Sequence, residues 1–431
     1  MGIDCGTSAI RVCAINDHRE LLGLTASELT AQSPRAWQQA LTGALKELLA
    51  VVPAQSVQSI AVDGTSGTVL VCDTKGKPLS PAIMYDDASH ANQITKLAAD
   101  QAPVARSATA GLPKILYLAE QISAGTSCII QHQADWISGW LADHYGFSDE
   151  NNALKSGYDL QQRCWPEWLQ QLLPGSMQLP EVLIPGTSTG TAGEFLQSLG
   201  LNADTRIVAG TTDSTASFLA TGVTELDCGV TTLGSTLVIK QLCEDEIIDA
   251  RRGVYSHRLG KKWLTGGASN TGGKVLNQYF SPQELGRLSE QINPHLESGL
   301  DYYPLLNRGE RFPVNDPEKT PLLSPRPQQD HEFLHGLLES IANIEKNGYH
   351  ALNSLGTKHI KQVVTAGGGA VNNVWNGIRQ RVLGCPVTLA AQTEAAFGSA
   401  LLAKEGSRLF CLLYTSDAAD DEYNVLLEVV G

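Results

Sequence analysis

Polar and apolar positions alternate from Ile10 to Ala14, with Ile10, Val12 and Ala14 on one face of a period-two pattern. This run follows an apolar start, an acid at Asp4 and a tight Gly6-Thr7-Ser8 segment, and it predicts strand, glycine turn, strand. The period then changes. Ser33-Pro34 offers an N-cap and a first-turn proline, and Trp37, Leu41, Leu45, Leu48 and Leu49 recur at helical spacing, predicting an amphipathic helix over 34–51. A short apolar run at 59–62 predicts a strand that ends in an Asp63-Gly64-Thr65-Ser66-Gly67 loop. A further strand at 68–72 is closed by a turn at 73–76. Strands and a helix in this order, with polar loops at strand ends, place the chemistry at the carboxyl edge of a mixed sheet. Residues 100–200 are more helical and irregular, with one helix opening at Gln133, and read as an elaboration of the first domain.

Farther on, 206–209 predicts a strand, Gly210-Thr211-Thr212 a turn, and Asp213 the start of a helix. The stretch 229–239 repeats the opening logic around Leu233-Gly234-Ser235-Thr236. Two such hairpins, far apart in sequence, suggest two similar domains facing one cleft. A third glycine element, Gly367-Gly368-Gly369, lies between a buried strand at 363–366 and a helix beginning near 371–375. Three successive glycines leave room for a flat or charged ligand against the backbone.

The chain has 431 residues, long enough for two domains. Its 42% apolar and 18% charged content is that of a globular protein. No apolar run reaches the roughly 20 residues of a membrane span, and no signal sequence opens the chain. With 31 basic and 45 acidic residues the net charge is −14, which disfavours nonspecific nucleic-acid binding. Nine scattered cysteines without a CxxC pair read as reduced thiols in a cytoplasmic compartment.

Several residues admit two readings. Gly6, Thr7 and Ser8 make either an ordinary polar turn or a phosphate-binding turn, with Asp4 placed to hold a metal that bridges phosphates. Asp63 and Ser66 either shape a turn or face a polyhydroxyl ligand. Asp213, at a helix start, is either a cap or a general base held ionised by the helix amides. Two motifs are set aside. His331-Glu332-Phe333-Leu334-His335 spells HExxH, but its helix already carries a core stripe and lacks an evident third zinc ligand. The run from Gly267 to Lys274 resembles a P-loop, but its spacing is off by one and Val275 stands where Ser or Thr is required. It reads instead as a close-packed interdomain segment.

Four strings occur in the order of the FGGY carbohydrate kinases: Asp4-Cys5-Gly6-Thr7-Ser8, Gly210-Thr211-Thr212-Asp213-Ser214, Leu233-Gly234-Ser235-Thr236 and Ala366-Gly367-Gly368-Gly369-Ala370. The resemblance covers about residues 1–410. It implies an α/β fold of two ribonuclease-H-like domains of the actin/Hsp70/hexokinase type, flanking a nucleotide and sugar cleft. The expected division is 1–220 plus 394–410 as sugar-binding domain and 221–393 as nucleotide-binding domain. Within the family the chain resembles the short pentulose kinases of cyanobacteria and plant plastids. Asp63-Gly64-Thr65-Ser66-Gly67-Thr68, where larger members carry Gln-Met-His or a related string, and Gly253-Val254-Tyr255-Ser256-His257-Arg258 support this. The implied activity is ATP-dependent phosphorylation of D-ribulose to D-ribulose 5-phosphate. The alternatives are a kinase for D-xylulose or another small polyol or ketose, and an actin- or Hsp70-like ATPase.

By the same resemblance Asp213 is the base, and Asp4 binds Mg2+ through water and helps place the sugar. Thr7, Ser8, Gly234 and Ser235 hold the phosphates; Gly367, Gly368, Asn372 and Trp375 line the adenosine site; Ser66 meets the sugar. The implied partners are ATP, Mg2+ and a sugar, with neither nucleic acid nor membrane, and the oligomeric state is left open, a monomer being compatible. Two ends depart from the family. Only Met1 precedes Gly2, which suggests a shortened first strand, and 411–431 matches no family element and reads as a non-native tail. Leaving out the five acids of that tail, which has no Lys or Arg, brings the charge from −14 to −9.

Overall fold

A computed structural model describes residues 1–98, 101–123 and 125–409; the 411–431 tail lies outside the described residues. The predicted hairpin forms as β1 (Gly2–Cys5) and β2 (Ala9–Ile15), extended by β3 (Leu21–Glu28). Helix α1 (Pro34–Leu48) has Ser33 as N-cap and buries Trp37, Leu41, Leu45 and Leu48 against this sheet. It stops three residues short of the expected 51, in a turn. Strand β4 (Ser59–Gly64) runs parallel to β1 and takes in Asp63 and Gly64, which sequence placed in a loop.

The 68–72 strand forms as β5 (Val69–Cys72) but leaves the first sheet. It pairs with β6 (Cys128–His132), which also pairs with β8 (Met177–Gln178). A second small sheet joins β7 (Phe147–Asp149) and β9 (Glu181–Leu183). Helices α2 (Gly111–Gln121), α3 (Gln133–Ala142), α4 (Glu150–Leu154), α5 (Glu167–Leu172) and α6 (Glu194–Ser198) complete the segment. The single mixed sheet expected across 59–72 is thus divided: Gly67, at φ +94°, turns the chain out of the first sheet after β4.

Strand β10 (Ser188–Thr191) and β11 (Arg206–Thr212) return to the first sheet, whose order is β10-β11-β4-β1-β2-β3. The expected turn at 210–212 is strand. The carbonyl of Val62 occupies the space where a Cβ on Gly210 would lie, 1.7 Å away, so this glycine serves strand packing. Helix α7 (Asp213–Ala220) begins directly at the strand end.

The second sheet repeats the plan. Strands β12 (Cys228–Leu233), β13 (Leu237–Cys243), β14 (Tyr255–Leu259), β15 (Lys262–Ser269), β16 (Gln362–Ala366) and β17 (Val387–Leu389) are ordered β14-β15-β13-β12-β16-β17. In each sheet a three-stranded antiparallel meander (β1-β2-β3, β12-β13-β15) continues through parallel strands (β4 and β11; β16 and β17). Helices α8 (Gly273–Tyr279), α9 (Pro282–Ser289), α10 (Asp330–Ser354) and α11 (Asn373–Leu383) belong to this half. The HExxH string lies on α10, where Leu334, Leu337, Leu338 and Ile341 are buried as expected. The 267–274 run is close-packed, but within the second half: the amide of Gly273 donates to Gly234 O at 2.9 Å, so it braces the 233–236 turn instead of joining two domains. Helix α12 (Ala395–Glu405) crosses back to pack on β1, β4 and α7. One apolar core takes Ala61 and Val208 from the first sheet, Val230, Leu242 and Leu264 from the second, and Ala396, Ala400 and Leu402 from α12.

Candidate active site

Strands β1, β4 and β11 are adjacent and parallel, with Asp4 opposite Asp63 and Asp63 opposite Thr211. Their carboxyl ends therefore deliver Asp4, Ser66 and Asp213 to one sheet edge, the position where open α/β sheets bind ligands. Asp4 is buried, and Arg11 donates to its Oδ2 at 3.4 Å. Burial and, next, the nearby Asp213 push its carboxyl up to about 6. Asp63 is fully buried, accepts from Ser399 Oγ at 2.5 Å, and is raised well above the usual carboxylate range by burial and by Asp4. Three carboxyl groups so close create a field that favours a cation. Among the described residues no three His, Cys, Asp or Glu side chains gather into a metal cage. One carboxylate with substrate phosphates and waters is, however, the usual Mg2+ arrangement, and Asp4 fits it.

Asp213 is the first residue of α7, and the N-cap position belongs to Thr212. Its Oδ1 accepts from the Ser214 amide at 2.6 Å, which is the N2 amide of α7, so the carboxylate is oriented by one of the free donors at the helix start. Burial raises its pKa, while the Ser214 amide, Lys155 and Lys240 oppose that rise. Ser66 Oγ is buried and has no hydrogen-bond partner among the described residues. Its loop is fixed from beneath: Lys114 Nζ, completely buried, donates to the carbonyls of Gly67 (2.9 Å), Met84 (2.6 Å) and Thr109 (2.9 Å). Burial lowers this lysine to about 8.

Thr7 and Ser8 sit on the exposed β1–β2 turn, closed by Gly6 N to Ala9 O at 3.1 Å. In the second sheet the parallel neighbours β12 and β16 end just before Gly234 and Gly367, which gathers the other glycine residues at one edge. A cavity of about 730 Å3, lined by Gly234, Ser235, Leu285, Gly368, Gly369 and Asn372 among others, opens there. That is a volume suited to a small-molecule cofactor, and a Cβ on Gly368 would meet nothing within 4 Å, so the cradle presents bare backbone to an incoming ligand. The cavity therefore fits a nucleotide. Asn372 caps α11 through Trp375 N at 3.0 Å and holds Ser289 Oγ at 2.9 Å. Trp375 is buried, with its indole N–H on Leu338 O at 3.1 Å, so its ring shapes the cavity wall from within the core. Among the described residues no hydrogen bond joins the Gly6–Ser8 turn to the 234–235 turn.

Sequence reasoning missed the lysines. Lys240, Lys155 and Lys114 converge on this region, and the available signal was a charge inside an apolar run, as in Leu237-Val238-Ile239-Lys240 and Leu112-Pro113-Lys114-Ile115.

Comparison with known proteins agrees with this geometry. The family model described as "FGGY family of carbohydrate kinases, N-terminal domain" matches residues 1–220, and that for the C-terminal domain matches 238–404. A xylulose kinase of Lactococcus lactis is 24% identical over 447 residues, covering 95% of this chain and 88% of its own. A xylulose kinase of Escherichia coli K12 is 23% identical over 406 residues, covering 87% of this chain and 83% of its own. The crystal structure of a "xyloylose kinase" from Brucella ovis superposes with a TM-score of 0.85 at 23% identity, covering 96% and 92% of the two chains. These relatives carry the name xylulose kinase, where the loop had pointed to ribulose kinases. The chain belongs to the FGGY family of carbohydrate kinases and is an ATP-dependent sugar kinase of two α/β halves.

Proposed function

We propose, from that membership, that the chain transfers the γ-phosphoryl group of ATP to the terminal hydroxyl of a ketopentose. The carrying observation is the shared edge of β1, β4 and β11, where a half-buried carboxylate (Asp213), a buried carboxyl (Asp4) and an unpartnered hydroxyl (Ser66) meet. Asp213 accepts the proton of the attacking hydroxyl, held by the Ser214 amide and favoured as a carboxylate by Lys155 and Lys240. Ser66 and Asp4 orient the sugar. The exposed turn at Thr7 and Ser8, with the cavity residues Gly234 and Ser235, cradles phosphates, and the cavity residues Gly368 and Asn372, the wall backed by Trp375 and the adjoining Gly367 receive the adenosine. Mg2+ at Asp4 would neutralise phosphate charge, which with positioning is most of what phosphoryl transfer requires. Residues 1–220 with 394–410 form the sugar half and 221–393 the nucleotide half, in a cytoplasmic enzyme.

The names of the relatives favour D-xylulose as the ketopentose. D-Ribulose is the second reading, carried by the small hydroxyl-bearing Thr65-Ser66-Gly67-Thr68 loop over Lys114. A coupled ADP-release assay across pentuloses, gluconate and glycerol decides. The higher kcat/KM of D-xylulose or D-ribulose selects the substrate, and no sugar-dependent ADP release removes the kinase reading.

A further inference from the structure

Lys240 sits on β13, between Val230 of β12 and Gly266 of β15, a few residues beyond the Gly234-Ser235 turn. It is buried, yet its side chain leaves its own sheet and donates to the carbonyl of Ser214 on α7 at 2.5 Å. The amide of the same Ser214 donates to Asp213 Oδ1 at 2.6 Å. One residue is therefore held at its carbonyl by the second half of the molecule while it holds the carboxylate of the first. A buried ammonium is costly unless it is paired and hydrogen-bonded, and the hydrogen bond that Lys240 makes is spent on main chain. A second lysine stands nearby, and burial together with the two lysines keeps the neighbouring His257 neutral. Lys155 lies 5.6 Å from the centre of the Tyr255 ring, and His257, buried with an unpartnered Nδ1, stands on the same strand as Tyr255. Asp213 is the acid whose charge acts on Lys240.

We propose that Lys240 is a positioning residue: by gripping the Ser214 carbonyl, one peptide group beyond the amide that holds Asp213, it fixes the first turn of α7 and with it the direction of the Asp213 carboxylate, tying the strand of one phosphate-turn hairpin to the group that takes the sugar proton. This rests on Asp213 acting as the base. The geometry makes the effect local, since Lys240 hydrogen-bonds the Ser214 carbonyl in the first turn of α7 and none of the residues that line the nucleotide cavity.

The test compares Lys240→Met, whose side chain keeps the length and loses the donor, with Lys240→Arg, which can still reach a carbonyl as donor. Misplacing a reacting group by about 1 Å costs up to about 10²-fold, so Lys240→Met is expected to lower kcat by about 10- to 100-fold. The KM for ATP should stay within about twofold, because the cavity is untouched. Lys240→Arg should recover most of the loss. Hydrogen exchange is read in parallel without substrates, and amides in 214–218 should exchange faster in Lys240→Met than in the parent and the arginine variant. An unchanged kcat in Lys240→Met overturns the proposal. So does a loss that falls equally on kcat, both KM values and melting temperature and is not recovered by arginine, since that is a packing defect. Should the parent show no sugar-dependent ADP release, the kinase reading fails by itself. Unchanged exchange at 214–218 would then overturn the grip of Lys240 independently.

Discussion

Asp213 and Ser66 differ in what their surroundings leave undone. Asp213 is held at one oxygen by the neighbouring amide, so Asp213→Asn keeps the size and that contact and removes the base. Turnover should fall by about 10²–10⁴-fold, the usual worth of a positioned proton acceptor, with the thermal midpoint nearly unmoved; ADP release and differential scanning fluorimetry read both. Ser66 has a buried hydroxyl without a partner. Ser66→Ala should raise the KM for the sugar and leave that for ATP unchanged in initial-rate kinetics, because the nucleotide cavity is lined by the other half. Lys114 gives a pH dependence. Its pKa is lowered to about 8 in the folded chain, from an ordinary value of 10.5, by burial. Between those values the unfolded chain binds the additional proton, so this group makes stability rise with pH from about 8 to 10.5. Urea midpoints across that window should show the rise, and Lys114→Met should flatten it. The carboxylates of this site were legible because Asp within a few residues of a glycine and hydroxyls is a local string. The lysines were not, since what they touch lies on other elements.

The elements are joined where side chains are smallest. Gly398 of α12 presses on α7: a Cβ there would lie 1.9 Å from Ala216 O. Gly2 would place one 2.0 Å from Ala396 O. Gly398→Val should therefore lift α12 from β1 and α7, lowering the melting temperature and, through α7, the activity; both fall together in this variant, unlike Asp213→Asn. In the second half, Glu345 of α10 takes both Arg379 Nε and Nη2 at 2.7 Å, and Arg379 Nη1 donates to Thr365 on β16 at 2.9 Å. Both members of the pair are completely buried. Removing one partner of such a pair costs about 3–5 kcal/mol, which Glu345→Ala should show in urea denaturation. Helix periodicity at Trp37, Leu41 and Leu45 and the glycine hairpins were readable element by element. The strand at 210–212 was not, because Gly210 looks like a turn residue until Val62 is known to lie against it.

At the scale of the molecule, two sheets of the same plan share a core through α12 and α7. The family match ends at 404, so trimming the chain after Phe410 should leave melting temperature and turnover unchanged; a clear loss of either would assign the tail a packing role. No helix among the described residues is long and apolar enough to cross a membrane. The amino-acid sequence by itself determined the local periods, the three glycine elements, the carboxylate beside the first of them and the two others near Gly64 and Gly210, since each is written in a few consecutive residues. Only the tertiary structure decided which strand ends are neighbours. Register between β1, β4 and β11, strands that lie between residues 2 and 212, brings Asp4, Asp63 and Asp213 to one edge; burial raises the pKa of all three, and neighbouring carboxyls raise Asp4 and Asp63 further. The same folding carries Lys240 across from the other sheet to the carbonyl of Ser214, the residue after Asp213. Burial and charge act through space, and the distances that set them exist once the two sheets are packed.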